Sequence, residues 1–411
     1  MAGQLPIGDP APEDGLLPRS SIEQMHERSM HAYVHIPFCK IRCGYCDFNT
    51  YTASELPGAS QAEYSKVLIS EIDFSRRVLV DSGLQQRPLS TVFFGGGTPT
   101  QLPAGELVKI LSTLRNNFGI SSNAEITTEA NPDTVSKAYL EELTAGGFNR
   151  ISLGMQSADS AVLKTLDRSH DPKNVITAVK AAHELGLDTS IDLIYGAPGE
   201  SIEQWRKSLK AAIDLGTGHI SAYSLIVEPG TKLARQIASG ELPEVDEDEQ
   251  ADKYELADQM LAEAGFSWYE VSNWSKTPAA RSAHNLAYWQ SQDWWGYGPG
   301  AHSHIGGTRW WNVKHPSLYA EKLAKFISPA AGRETLDNST RLEERVLLEI
   351  RISDGLKIET AKLVNQNAVA IIAKFISEDL VDAKIALAGR LVLTLKGRLL
   401  ADALVRKLVT T

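Results

Sequence analysis

All three cysteines of the chain fall within eight residues, Cys39-Lys-Ile-Arg-Cys43-Gly-Tyr-Cys46. An odd count cannot close an all-disulfide framework, and chance rarely gathers a chain's only cysteines so tightly. A structural zinc ion wants four ligands, and a thioredoxin-like redox pair wants one isolated C-x-x-C. Three thiolates on one short loop can instead hold three irons of a [4Fe–4S] cube, leaving the fourth iron open to an outside ligand. A zinc site completed by His35 or Asp47, and plain core thiols, are the competing readings.

Further along stands Gly95-Gly96-Gly97-Thr98-Pro99-Thr100. Consecutive glycines let backbone approach a ligand closely, and their amides can bind a carboxylate. The Lys-Ser/Thr of a Walker A loop is missing, which argues against nucleoside triphosphate binding. Polar residues then recur at intervals: Glu129 in Glu129-Ala-Asn131-Pro132, Gln156 in Ser152-Leu-Gly-Met-Gln156, Arg168 twelve residues on, and Asp192 in Asp192-Leu-Ile-Tyr-Gly196. Any single one reads equally well as a cap or a solvated loop residue. As an ordered set they would have to meet at one mouth.

The elements that would bring them there follow from periodicity. Short β-branched or aromatic runs at 33–36, 91–94, 125–129, 150–154, 187–194 and 219–227 alternate with amphipathic stretches near 60–81, 104–117, 134–144, 172–185 and 201–214. Such alternation implies right-handed βαβ units around a parallel sheet. About six units suit a partial (β/α)6 TIM-like barrel, with a doubly wound sheet as the alternative. In a barrel, the cysteine loop and the polar residues would share the C-terminal ends of the strands, where such folds assemble their sites. An acidic run over 244–249 reads as a solvated helix start favoured by the macrodipole. Helical patterns from about Ser339 to Leu380, then an alternating stretch around Leu391-Val392-Leu393, suggest a small winged-helix-like domain. The expected divisions are a mobile extension over 1–30, the barrel over 31–265, an aromatic-rich segment over 266–330 and the C-terminal domain over 331–411.

The C-x3-C-x2-C spacing resembles the hallmark of the radical S-adenosylmethionine superfamily, whose open iron chelates the methionine part of the cofactor. The ordered set is similar to the oxygen-independent coproporphyrinogen III oxidase family from about Ala32 to His304, with Tyr33-Val-His-Ile-Pro-Phe-Cys39 matching its opening motif. The resemblance implies that Cys39, Cys43 and Cys46 bind the cluster. It also implies that Tyr33, Tyr45, Gly96, Gly97, Thr98, Glu129, Gln156, Arg168, Asp192 and the backbone near Ile226 line the S-adenosylmethionine site. Glu129 would take the cofactor's amino end, and Asp192 its ribose hydroxyls or another polar group. In the oxidase some of these residues, Gln156, Arg168 and Asp192 among them, contact a second cofactor molecule instead.

The oxidase carries a further cysteine two residues after the third, whereas here the run is Cys46-Asp47-Phe48. With the downstream His284-Asn285-Leu-Ala-Tyr288-Trp289, this departure resembles the heme chaperone branch, HemW. Imidazole can ligate heme iron, and Tyr and Trp rings can pack on a macrocycle. In a helix, His284 and Tyr288 would share a face at i, i+4 spacing, with Trp289 alongside. His284 is the expected ligand, with Asn285, Tyr288 and Trp289 beside it, and His302 and His304 as alternative imidazoles. A satisfied buried imidazole with core aromatics is the bland reading. Seven of the eight tryptophans lie between Trp268 and Trp311, and they have the same bland reading as cover for an open barrel side.

The 411 residues exceed one ordinary domain of ~150 residues. A composition 43% hydrophobic and 22% charged belongs to a soluble globular chain. A formal charge of −10 argues against nucleic-acid binding through bulk positive charge. No apolar run has the length of a membrane span, and no secretory h-region opens the chain. The expectation is therefore a cytoplasmic protein with no nucleic-acid partner and no catalytic residue assigned. It would bind heme and pass it to an acceptor hemoprotein, with a homodimer as a candidate assembly. Its cofactors would be a [4Fe–4S] cluster and S-adenosylmethionine. The enzymatic alternative is oxidative decarboxylation of coproporphyrinogen III.

Overall fold

Six parallel strands follow one another across the sheet in sequence order: β1 (Met30–Ile36), β2 (Leu89–Gly96), β3 (Ile120–Ala130), β4 (Arg150–Gln156), β5 (Asp188–Tyr195) and β6 (His219–Ser224). The computed structural model describes residues 8–52, 55, 61–168 and 170–410. A doubly wound sheet reverses its strand order about a switch point, and this order does not reverse. Every residue of β1 except Tyr33 is buried, as expected of a parallel strand covered on both faces.

The helices between the strands are α1 (Gln61–Asp81), α2 (Ala104–Phe118), α3 (Lys137–Gly146), α4 (Ser160–Thr165), α5 (Pro172–Glu184) and α6 (Ile202–Asp214), followed by α7 (Lys232–Ala238) and α8 (Glu247–Glu263). Their starts are chemically marked. Ser201 and Gln204 form a reciprocal capping box on α6. Asp246 caps α8, ahead of Glu247, Asp248 and Glu249 in its first turn, so the acidic run is a helix start.

The parallel set stays open, and antiparallel strands extend both of its edges. Beyond β6 lie β7 (Ser267–Glu270) and β8 (Asn273–Ser275), in the order β6-β8-β7. After α9 (Ala283–Trp289), β9 (Asp293–Tyr297) pairs parallel to β1. Strands β10 (His302–Ile305), β11 (Thr308–Asn312) and β12 (Ala330–Thr335) then continue that edge antiparallel, with α10 (Pro316–Ala324) between the last two. The aromatic-rich segment thus supplies strands to both flanks of one sheet.

Two corrections concern the ends of the chain. Residues 8–29 do not form a free extension. Asp9 bridges to Arg333, the Leu17 and Met25 side chains are buried in the core beside β1 to β3, and the Ser21 hydroxyl bonds the Thr308 hydroxyl at 2.9 Å. The prolines that break periodicity there direct an ordered wrap. The first seven residues lie outside the described residues, as does Ser169. At the other end, a boundary at 331 would cut β12. The separate C-terminal core begins within α11 (Asn338–Glu349), at Val346, and gathers Ile350, Leu356, Phe375, Leu391 and Leu404. It contains further helices and one two-stranded ribbon that pairs Leu356–Lys357 with Arg390–Leu391. Among the described residues no helix is long and apolar enough to cross a membrane.

Candidate functional site

The strand register sets the site. Tyr33 pairs with Phe93, Glu129 with Ser152, and Gly154 with Asp192, so the polar residues expected from sequence come to neighbouring C-terminal strand ends. The cysteine loop leaves β1 over this mouth. Thr98 N–H donates to the Phe38 carbonyl at 2.8 Å and Gly97 N–H to the Ile36 carbonyl at 2.8 Å. A Cβ on Gly97 would fall 2.6 Å from the Phe38 oxygen and 3.0 Å from Cys39 Sγ, so only glycine lets the two loops meet. Gly44 is pinned similarly against Asp167, which pairs with Lys232 at 2.9 Å.

Cys39, Cys43 and Cys46 are half-buried and free. Arg168 donates to Cys43 Sγ at 3.6 Å and to the Gly154 carbonyl at 2.8 Å, while its buried Nε has no partner among the described residues. Burial and the neighbouring thiols push Cys39 up to about 11 and also raise Cys46, so thiolates here call for a cationic partner such as iron. His35 does not complete a zinc site, because Tyr33 Oη at 3.1 Å and the Asn49 carbonyl at 2.9 Å engage both its ring nitrogens. Among the described residues no trio of His, Cys, Asp or Glu converges on a single metal ion. Three thiolates on three irons of a cube need no such convergence, so the donor set fits a [4Fe–4S] cluster better than zinc.

Around this loop, Gly96 N–H donates to Glu129 Oε2 at 3.2 Å. Burial, and then Asp192, push the Glu129 carboxyl up to about 8 against that bond. Asp192 accepts from Ser152 Oγ at 2.7 Å, and burial raises its pKa too. Gln156 takes a left-handed φ of 62°, and its amide sits with Arg168 over Gly154, where a Cβ would meet both. Tyr45 packs against the small cluster of Val162, Leu166 and Ile194, and Ile226 is exposed just beyond β6.

A cavity of about 660 Å³ runs from Tyr33, Gly96 and Glu129 to Tyr288, Trp294 and His302, with Leu347 and Leu348 of α11 on its far side. Phe48 lines it where the oxidase resemblance would place a cysteine. Of His284, Asn285, Tyr288 and Trp289 only Tyr288 reaches this wall, whereas the alternative imidazoles His302 and His304 both line the cavity. His284 is fully buried: its Nδ1 meets Thr91 Oγ1 at 2.6 Å, its Nε2 meets the Tyr288 hydroxyl at 2.8 Å, and it stacks on Phe93. The expected i, i+4 pairing is present, but Tyr288 thereby occupies the nitrogen that iron would need. Both ring nitrogens of His284, the ligand expected from sequence, are thus engaged in this structure, the arrangement of a satisfied buried imidazole. Glu125 holds this short helix by accepting from the Ala283 and His284 amides at 2.9 and 3.0 Å. Trp289 leans on the buried Glu270, and Asn285 does not line the cavity.

Sequence reasoning left the remaining walls unassigned. Trp274, Trp295, Trp310 and Trp311 are buried core, whereas Trp294 faces the cavity. Leu347 and Leu348 carry no motif, and only the three-dimensional approach of α11 makes them part of the site.

Comparison with known proteins follows the same outline. The profile of the Radical SAM superfamily matches residues 33–212. Over 379 residues the chain is 45% identical to the heme chaperone HemW of Mycobacterium tuberculosis, covering 92% of this chain and 94% of that one. It is 35% identical to the heme chaperone HemW of Bacillus subtilis over 327 residues, covering 79% and 84%. Its fold matches the radical SAM enzyme coproporphyrinogen III oxidase (HemN) from Escherichia coli with a TM-score of 0.77 at 23% identity, covering 95% of this chain and 92% of that one.

Proposed function

We propose a function from one premise: the chain belongs to the HemW heme chaperone family of the radical SAM superfamily. On this reading it takes up heme in the cavity beside the cluster mouth and hands it to an acceptor hemoprotein. The observation that carries the reading is the cavity itself, which joins the cofactor residues Tyr33, Gly96 and Glu129 to an aromatic wall containing Tyr288 and Trp294. Its volume is that of a small-molecule site, within the usual ~300–1,000 Å³.

The chain's own residues divide the work. Cys39, Cys43 and Cys46 would hold three irons of the cluster, with Arg168 offsetting the charge at Cys43. Glu129 would receive the amino group of S-adenosylmethionine, and Asp192 a hydroxyl or another polar group. Tyr45, Gly97, Thr98, Gln156 and the backbone near Ile226 would complete the cofactor's surroundings. When bound, the cluster and S-adenosylmethionine supply one-electron chemistry, which heme carriage does not require. Trp294 and Tyr288, with ring centroids 4.7 Å apart and edge to face, would pack on the macrocycle. His284 supports Tyr288 through its hydrogen bond, and Asn285 and Trp289 belong to the same supporting helix. A homodimer and a cytoplasmic location are part of the proposal. So is Phe48, whose side chain occupies cavity space beside the cluster loop.

The test is anaerobic titration of cluster-reconstituted protein with heme. A saturable Soret shift at one heme per chain is expected, with no protoporphyrinogen formed from coproporphyrinogen III when reductant and S-adenosylmethionine are supplied. Absence of a saturable shift removes the heme reading. Stoichiometric decarboxylation would instead establish the oxidase activity.

A further inference from the structure

We propose that the imidazole of His302 is the axial ligand this cavity offers to heme iron, an inference that rests on the heme reading above and deepens it. Three histidines line the cavity and His284 stands behind Tyr288. His35 is engaged at both nitrogens by Tyr33 and Asn49. His304 meets the Gln292 carbonyl at 3.0 Å through Nδ1 and accepts from Gly307 N–H at 3.1 Å through Nε2. His284 is bonded to Thr91 and Tyr288. His302 alone is exposed to the cavity with neither ring nitrogen in a hydrogen bond among the described residues.

Iron ligation needs a neutral imidazole with an unengaged lone pair. Although His302 is open to the cavity, partial desolvation by the surrounding protein and then the cations Lys314 and Arg309 lower its pKa and favour that neutral form. Arg309 is itself held by Glu334 and Glu344, so its guanidinium is fixed in place.

The backbone carrying His302 is fixed in advance. His302 opens β10 opposite Trp311, with the two rings 6.0 Å apart. Its carbonyl accepts from Trp294 Nε1 at 3.0 Å. A Cβ on Gly296 would lie 2.1 Å from that carbonyl, so glycine is what permits β9 to cross so close. The same hydrogen bond ties the ligand-bearing strand to Trp294, whose ring faces the cavity. Iron and macrocycle would thus be recognised by neighbouring residues of one rigid hairpin, the preorganisation a ligand site needs. A single exposed imidazole would also allow release by ligand replacement: the Fe–N bond would break with its electron pair staying on the imidazole, and an acceptor's donor atom would give its own pair to iron.

The experiment compares Soret and EPR spectra of ferric heme bound to the cluster-reconstituted parent, His302→Ala and His302→Met. The parent is expected to show saturable imidazole-ligated heme. His302→Ala should bind at least about tenfold more weakly and lose the imidazole signature, and added free imidazole should restore it. His302→Met should give a different, thioether-type spectrum. A parental spectrum and affinity in His302→Ala would overturn the assignment, as would a loss that imidazole does not rescue. Failure of the parent itself to bind heme would instead remove the underlying heme reading.

Discussion

The two ends of the cavity are built on different plans. At the cluster mouth, short loops at the ends of β1 to β6 carry the functional groups, and contact between neighbouring loops positions them, as where Gly97 meets Cys39. At the aromatic wall, side chains from α9, β9, β10 and α11 come together over long sequence distances. The amide of His284 is held by a carboxylate 159 residues earlier, at Glu125. Ligand spacing is written locally at the first end and supplied by tertiary packing at the second. At the mouth a motif therefore brings its own residues together, whereas at the wall tertiary packing decides which of them face the cavity.

The largest expected effect breaks the mouth alone. Cys43→Ala should reduce cluster iron and visible absorbance per chain to background after anaerobic reconstitution, since two thiolates cannot replace three around a cube. Iron content near that of the parent would contradict the ligand assignment. The matching lesion under the wall is Asp293→Ala. This buried carboxylate begins β9 and bonds Arg28 at 2.9 Å, Arg87 at 2.8 Å and Gly306 N–H at 2.9 Å. Its removal leaves two guanidinium groups without their partner and should cost about 3–5 kcal/mol in denaturant unfolding. A loss below ~1 kcal/mol would mean that the hairpin does not depend on this pair.

A smaller effect separates the ends by pH. Because the Glu129 carboxyl is raised to about 8 by burial and Asp192, it is largely protonated at neutral pH until a cation pairs with it. Binding of the amino group of S-adenosylmethionine should therefore release a proton, and affinity should climb as pH rises from about 6 towards 8. Calorimetry in buffers of different ionisation enthalpy reads the proton directly. Glu129→Gln should abolish the release and weaken binding about 100-fold, roughly 2.7 kcal/mol. Without ligand, the sign for stability is the reverse of the usual carboxylate case. Ionising Glu129 costs folding free energy as pH climbs from its unfolded value through about 8, so the Gln variant should lose less stability over that range. The smallest effect is expected at Trp294→Ala, where losing one aromatic face should weaken heme by about 0.5–1.5 kcal/mol. Such a change is measurable by competition for heme, and no change would remove Trp294 from the wall.

Most of the barrel was legible because period-2 and period-3.6 patterns alternate cleanly, and β1 to β6 fall on the expected runs. The cysteine loop stands out in the sequence because three cysteines in eight residues have few structural explanations. Other features were not. Residues 8–29 lack periodicity yet are ordered by long-range partners such as Thr308 and Arg333. The domain boundary near 331 missed β12, which is short, part-exposed and rich in polar residues. His284 was the harder case. His284 and Tyr288 do pair at i, i+4, but a spacing cannot say whether the tyrosine beside an imidazole will share its ligand or occupy its nitrogen. What distinguishes His302 from the other imidazoles is that neither of its ring nitrogens is hydrogen-bonded among the described residues, a property no sequence displays.

Heme transfer tests the central claim most directly. Protein loaded with one equivalent of heme is mixed anaerobically with excess apomyoglobin, and the Soret band is followed. The account expects saturable loading, followed by complete movement of heme to the globin without S-adenosylmethionine consumption. Failure to load, or heme that stays on the chain in the presence of excess globin, would contradict it.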